Sequence, residues 1–200
     1  MSSGLMFFRL VLNRFYCSMV GISSNSLIAR YSRLGQIEKA RAVFDEMRDK
    51  SIVSWNSIVA GYFHNNRPQE AQNMFDKMSE RNTVSWNSLI SGYIKNGMIN
   101  EARKVFDKMP ERNVVSWTAM VRGYAKEGMI SEAEALFWQM PERNVVSWTV
   151  MLEGLIQEGR IDEACRLFDM MPEKDVVART SMIGGYCQAG RLAEARRTFR

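Results

Sequence analysis

The sequence predicts an all-α chain, a solenoid of stacked helix-turn-helix repeats, and three observations predict it. The first is self-similarity at a fixed spacing. NVVSWTAMVRGYAKEGMISEAEALFWQMPER, from Asn113 to Arg143, is followed without a gap by NVVSWTVMLEGLIQEGRIDEACRLFDMMPEK, so the period is 31 residues. The unit recurs upstream from Asn82 and from Ser51, with a weaker copy before them and an incomplete one from Asp175 to Arg200. A period in this range marks an array in which each unit buries its apolar face against its neighbours. The second observation is two apolar runs at helical spacing within a unit: Met120, Val121 and Tyr124, then Ala133, Leu136, Phe137 and Met140. The third is punctuation. Gly128 separates the runs and Pro141 follows the second, where a helix must stop; Gly35, Gly97, Gly159 and Gly190, with Pro110 and Pro172, repeat the pattern.

Taken in order, the chain opens with a leader over residues 1–20, MSSGLMFFRLVLNRFYCSMV, which carries Arg9 and Arg14, while no acid appears before Glu38. That composition is the one of an organellar transit peptide; the competing reading is an irregular helix that caps the array. Its apolar run is too short and interrupted for a membrane span. Six units follow, over residues 21–51 (degenerate), 52–82, 83–113, 114–144, 145–175 and 176–200 (truncated).

Within the units, small residues mark close helix approach: Gly61, Gly92, Gly123, Gly154 and Gly185 in one column, Ala40, Ala71, Ala102, Ala133, Ala164 and Ala195 in another. Large residues fill the space between: Phe44, Phe75, Phe106, Phe137, Phe168 and Phe199, with Tyr31, Tyr62, Tyr93, Tyr124 and Tyr186. Trp55, Trp86, Trp117 and Trp148 open the first helices, as core residues in one reading and as a base-stacking ladder in the other. Second helices are expected to start behind capping-type residues, Asn100, Ser131 and Asp162.

Composition excludes more than it selects. A hydrophobic fraction of 46% supports a continuous core, and a net charge of +5 is compatible with nucleic acid. Cys17, Cys165 and Cys187 show no metal-ligand spacing, and His64 is the only histidine, so no catalytic triad or zinc site assembles. The expectation is a protein that is not an enzyme, with no metal, no cofactor, no small-molecule substrate and no membrane partner.

The run VVSWTxMxxGY…G…EA…LF…MPER resembles the pentatricopeptide repeat (PPR) in its short, 31-residue form, typical of plant organellar proteins of the class that includes RNA-editing factors. The resemblance covers Gly21 to Arg200. The first copy departs from it, with Ser24 in the tryptophan column and Arg30 in the glycine column, and the last has Arg179 in place of tryptophan. The rival tetratricopeptide repeat, a protein-interaction scaffold, has a period of about 34.

The resemblance implies a right-handed superhelical solenoid of helix-turn-helix repeats that binds single-stranded RNA, one base per repeat, in a mitochondrion or, as the alternative, a chloroplast. Other RNA-processing or editing factors are its further partners in that reading. The implied base-reading pairs are Asn25 with Ser51, Asn56 with Asn82, Asn87 with Asn113, Thr118 with Asn144, and Thr149 with Asp175; Thr180 has no partner here. The implied base-sandwiching residues are Ile22, Val53, Val84, Val115, Val146 and Val177. Ser51, Asn82, Asn113, Asn144 and Asp175 are equally good helix N-caps, so capping competes with base reading at that column. Arg33, His64, Lys95 and Lys126 form a column that reads either as a phosphate stripe or as a solvated face. A deaminase needs an HxE segment and a CxxC to hold zinc; His64 is followed by two asparagines and no CxxC occurs, which leaves as a third alternative a fragment of a deaminase whose catalytic part is not in this sequence.

Overall fold

The computed structural model describes residues 23–199, apart from the Phe199 side chain; the leader with its transit-peptide expectation, Cys17 and Ile22 lie outside that range. The described residues form twelve α-helices and no strand. They are α1 (Ser24–Arg33), α2 (Ile37–Glu46), α3 (Ile52–His64), α4 (Pro68–Asp76), α5 (Thr83–Lys95), α6 (Ile99–Lys108), α7 (Val114–Lys126), α8 (Ile130–Gln139), α9 (Val145–Gln157), α10 (Ile161–Met170), α11 (Val176–Gln188) and α12 (Leu192–Phe199). The chain divides into two compact units, residues 1–96 and 97–200. In the first, α1 packs on α2 and α3, and α3 on α4 and α5; in the second, α7 packs on α8 and α9, and α9 on α10 and α11. The odd-numbered helices are thus the first helices, and α1 and α3 in one unit, like α7 and α9 in the other, each pack on their own partner and on the next first helix.

First helices begin where a side chain satisfies a free backbone donor. Ser23, Ser51, Asn82, Asn113, Asn144 and Asp175 stand in extended conformation ahead of them, and each side chain accepts from the N–H three residues on. They end in a left-handed turn residue: Gly35, Gly97, Gly128, Gly159 and Gly190 all have φ between 70° and 73°. The second repeat has no glycine there, and Asn66 takes the conformation at φ 55°. Asparagine is the side chain that most readily does so.

Second helices correct one expectation. Asn100, Ser131 and Asp162 are the second residues of α6, α8 and α10, not their caps; the cap positions belong to Met98, Met129 and Arg160, whose side chains make no capping bond. The chain enters these helices through an apolar anchor instead. Ile99 and Ile130 are buried, as is Ile37 in α2, and each is the first residue of its helix.

The core repeats with the sequence. Ala40, Ala71, Ala102, Ala133 and Ala164 have no exposed surface, and Phe44, Phe75, Phe106, Phe137 and Phe168 are buried beside them. Trp55, Trp86, Trp117 and Trp148 each stand edge-on to the phenylalanine of the preceding hairpin, with centroids 4.8–4.9 Å apart. The tryptophans are therefore packing residues. Trp148 is buried and the other three are half-buried. Close approach of first helices explains the glycine column. A Cβ on Gly61 would stand 2.3 Å from Ser32 Oγ, and one on Gly92 2.2 Å from the Phe63 ring. In the second unit a Cβ on Gly154 would stand 2.9 Å from the Ala125 Cβ.

Second helices end through a bond that the sequence pattern does not announce. Arg81 Nε donates to the Phe75 carbonyl and its Nη2 to that of Asp76; Arg112 and Arg143 do the same to Phe106 and Asp107, and to Phe137 and Trp138. Each guanidinium also lies over the phenylalanine ring, 4.9–5.3 Å from its centroid. Lys50 and Lys174 fill the same role with ammonium groups. The arginine of the MPER junction thus closes a helix.

Gly92→Ala is expected to cost about 2 kcal/mol or more, because a rigid ring must move, whereas Gly159→Ala should cost about 1–2 kcal/mol from backbone conformation alone. Denaturant unfolding of the two variants checks the order.

Candidate nucleic-acid interface

Each first helix keeps one stripe toward solvent. On α3 it runs from exposed Val53 past half-buried Asn56 and Ser57 to Ala60 and His64; on α5 it runs from Val84 past Asn87 and Ser88 to Ser91 and Lys95. On α7, α9 and α11 it starts at Val115, Val146 and Val177. These valines are 53–61% exposed, unusual for a β-branched apolar residue in a chain with so regular a core. All the predicted sandwiching positions within the described residues therefore reach solvent. A ring that settled on such a residue would remove apolar surface from water.

The cap residue stands two positions before each valine. Asn82 Oδ1 accepts from Ser85 N at 3.0 Å, and Asn113 and Asn144 do the same with Ser116 and Ser147. Only the amide oxygen is used: the Nδ2 group of each makes no hydrogen bond. Asp175 Oδ1 accepts from Ala178 N at 2.8 Å, and its second oxygen makes none. The caps at Asn82, Asn113 and Asn144 leave a free donor, and the cap at Asp175 leaves a free acceptor. Capping and reading a base edge are thus compatible in one side chain. Ser51 differs, because its hydroxyl is engaged with both the N–H and the hydroxyl of Ser54.

The fifth residues of the units sit deeper than expected for groups that meet a base. Asn25, Asn56 and Asn87 are half-buried, Thr118 and Thr149 are buried at 7% exposure, and Thr180 is exposed. Thr149 and Thr180 donate to the carbonyls of Val145 and Val176, one turn back. By contrast, Asn25 Oδ1, Asn87 Oδ1 and Thr118 Oγ1 are buried without a partner. A buried polar atom left unpaired costs free energy until something satisfies it. In the second unit Thr118 lies on α7 and Asn144 caps the adjacent α9, as Thr149 on α9 and Asp175 ahead of α11 do one repeat later.

Arg33, His64, Lys95 and Lys126 are the last residues of α1, α3, α5 and α7, and all are exposed. A cation there favours the helix C-terminus. The same position holds Gln157 on α9 and Gln188 on α11. Among the described residues no three His, Cys, Asp or Glu side chains come together as a metal site, and no helix is long and apolar enough to cross a membrane.

The PPR repeat family model matches residues 22–52, 53–83, 84–114, 115–145 and 177–200, and a second model described as a PPR repeat family matches residues 143–176. The chain belongs to the pentatricopeptide repeat family. No curated protein matches it. Among solved structures it is similar to the pentatricopeptide repeat protein PPR10 in complex with an 18-nt psaJ RNA element, at 23% identity and a TM-score of 0.69 over 92% of this chain. It is also similar to PPR10 from maize, at 21% identity and a TM-score of 0.62. The PPR chain described here spans 30–34% of the length of those proteins.

Asn144→Ala is expected to cost about 1 kcal/mol, and Asn144→Asp to stay within about 0.5 kcal/mol of the original, because aspartate caps as well as asparagine. Trp148→Ala should cost about 3–5 kcal/mol, and Trp117→Ala less, in proportion to its exposure. Thermal or chemical denaturation reads both pairs.

Proposed function

We propose that this PPR chain binds single-stranded RNA along the exposed stripes of its first helices, one base per repeat. The carrying observation is the pairing of an exposed valine with a cap residue that keeps one polar group free. An unstacked base offers a flat apolar face and a polar edge, and each junction offers a partner to both. The RNA held by PPR10 in its complex is in keeping with this reading.

Base identity follows from the free cap atom and the fifth residue. By the family's rule, Asn56 with Asn82 favours a pyrimidine, Thr118 with Asn144 favours adenine, and Thr149 with Asp175 favours guanine. Asn25 with Ser51 is also assigned to a pyrimidine. The adenine and guanine assignments differ in one atom of the cap residue, a donor nitrogen at Asn144 against an acceptor oxygen at Asp175.

The reading extends to an adaptor role in a plant organelle, the mitochondrion ahead of the chloroplast, where the bound transcript is marked for processing or C-to-U editing by other factors. The 31-residue unit and the acid-free leader support it. Protein recovered from mitochondria should then lack residues up to about Met19, as its N-terminal sequence would show. An intact Met1 in imported protein contradicts the transit-peptide reading.

Binding should favour single-stranded over duplex RNA and weaken with salt as phosphate contacts release counterions. Asn144→Asp should move preference at the corresponding base from adenine to guanine by about 1–3 kcal/mol with stability unchanged. Competition between RNAs that differ only at that base measures the shift. Unchanged preference leaves residue 144 as a cap alone.

A further inference from the structure

The first helices exclude carboxylates. The sequences of α1, α3, α5, α7 and α11 contain no aspartate or glutamate, and α9 contains one, Glu153. The second helices, in contrast, carry acids freely, as in IDEACRLFDM of α10. The exclusion is therefore a property of the first helices, their outward stripes included. Glu153 breaks it on the outward stripe of α9, one turn beyond Thr149, at the position that Arg122 holds on α7 and Gly184 on α11.

Glu153 is half-buried and makes no ion pair. Its Oε1 accepts a hydrogen bond from Ser181 Oγ on α11 at 3.2 Å, which ties the carboxylate to the first helix of the next repeat, at the residue that follows Thr180 in the chain. The charges around it change sign along the second unit. On α7 the stripe carries Arg122 and Lys126, both exposed and without ion pairs, with Glu127 just past the helix end. On α9 the cations are gone: Glu153 is followed by Gln157 and, at the helix end, Glu158. On α11 the equivalent positions are Gly184, Gln188 and Ala189, and Arg179 at its start is turned to the Lys174 carbonyl.

We propose that Glu153 is an electrostatic stop on the first-helix face, confining phosphate contact in the second unit to α7 and weakening it at α9 and α11. The inference rests on the RNA-binding reading and adds to it a limit on where the backbone is held. A carboxylate near a phosphodiester costs binding free energy at low salt, and two cations one repeat earlier supply the opposite term. A strand on this unit is thus gripped at α7, while over α9 and α11 it is held by its bases.

The test compares the full chain with its Glu153→Gln, Lys126→Gln and Arg122→Gln variants, with a single-stranded RNA long enough to cover every repeat, across a salt series. Glutamine keeps an oxygen for Ser181, so thermal stability should not move and any change in affinity is electrostatic. Glu153→Gln should tighten binding about threefold to tenfold at low salt, with the gain fading as the Debye length shortens. Lys126→Gln should loosen binding and flatten the salt dependence. Unchanged or weaker binding by Glu153→Gln overturns the proposal, and a base-selective loss would make the carboxylate an acceptor for a base amino group instead. No effect of Lys126→Gln together with none of Arg122→Gln overturns it equally, because α7 then grips nothing. If the unaltered chain binds no single-stranded RNA, the functional reading falls and this inference with it.

Discussion

Within each unit, successive first helices come so close that only a hydrogen fits between them, and the rest of the architecture depends on that approach. A methyl group on Gly92 would overlap the Phe63 ring, and one on Gly154 would meet Ala125 and Ile130. Such contacts fix the spacing and rotation of the helices, because a ridge of one lies in a gap of the other with no freedom to turn. Once rotation is fixed, the outward residues must fall in columns. The exposed valines, the caps and the terminal cations recur because the buried side of the helix is held.

Much of this was legible in the sequence because a repeat reports its packing several times over. The glycine, alanine and phenylalanine columns, the tryptophan at the helix start and the first-helix caps are all local choices that the tertiary structure reinforces. The second-helix caps were misread because Asn100, Ser131 and Asp162 have the right side chains, while the helix in each case already begins at the preceding isoleucine, which is buried at Ile99 and Ile130. Asn66 was invisible as a turn residue because the glycine pattern simply lapses there. The helix-closing role of Arg81, Arg112 and Arg143 depends on the reach of a guanidinium back over five and six residues, which residue spacing alone does not display. Of the candidate site, the columns were legible and the depth was not: the burial of Thr118 and Thr149 depends on neighbouring helices.

The charge of the chain needs the same separation into places. Arg81, Arg112 and Arg143 spend their charge on helix carbonyls, and Arg67, Arg160 and Arg191 bridge carboxylates on their own and the preceding second helix. The guanidinium of Arg160 holds the Glu163 carboxyl below its usual range, and Arg191 does the same to Glu194. Exposed pairs of this kind add little stability each. The cations left uncommitted are then few, and those on the first helices are chiefly Arg30, Lys95, Arg122 and Lys126. A net charge of +5 is therefore a poor measure of what an RNA strand would meet.

The arginine at the end of each hairpin has a consequence for how such a chain can change in length. Because Arg81, Arg112 and Arg143 each close the helix of their own repeat, a hairpin carries its own terminator and borrows none from its neighbour. A duplication or deletion of one whole period moves helix, turn and terminator together and strands no carbonyl in the interior. An insertion within a junction, between Phe75 and Arg81 for instance, separates the arginine from its helix end and the tryptophan from its phenylalanine together. The covalent unit of inheritance is thus also the unit in which the last carbonyls of a second helix are satisfied, and arrays of this type can lengthen or shorten in whole periods while each of those helix ends keeps its own donor.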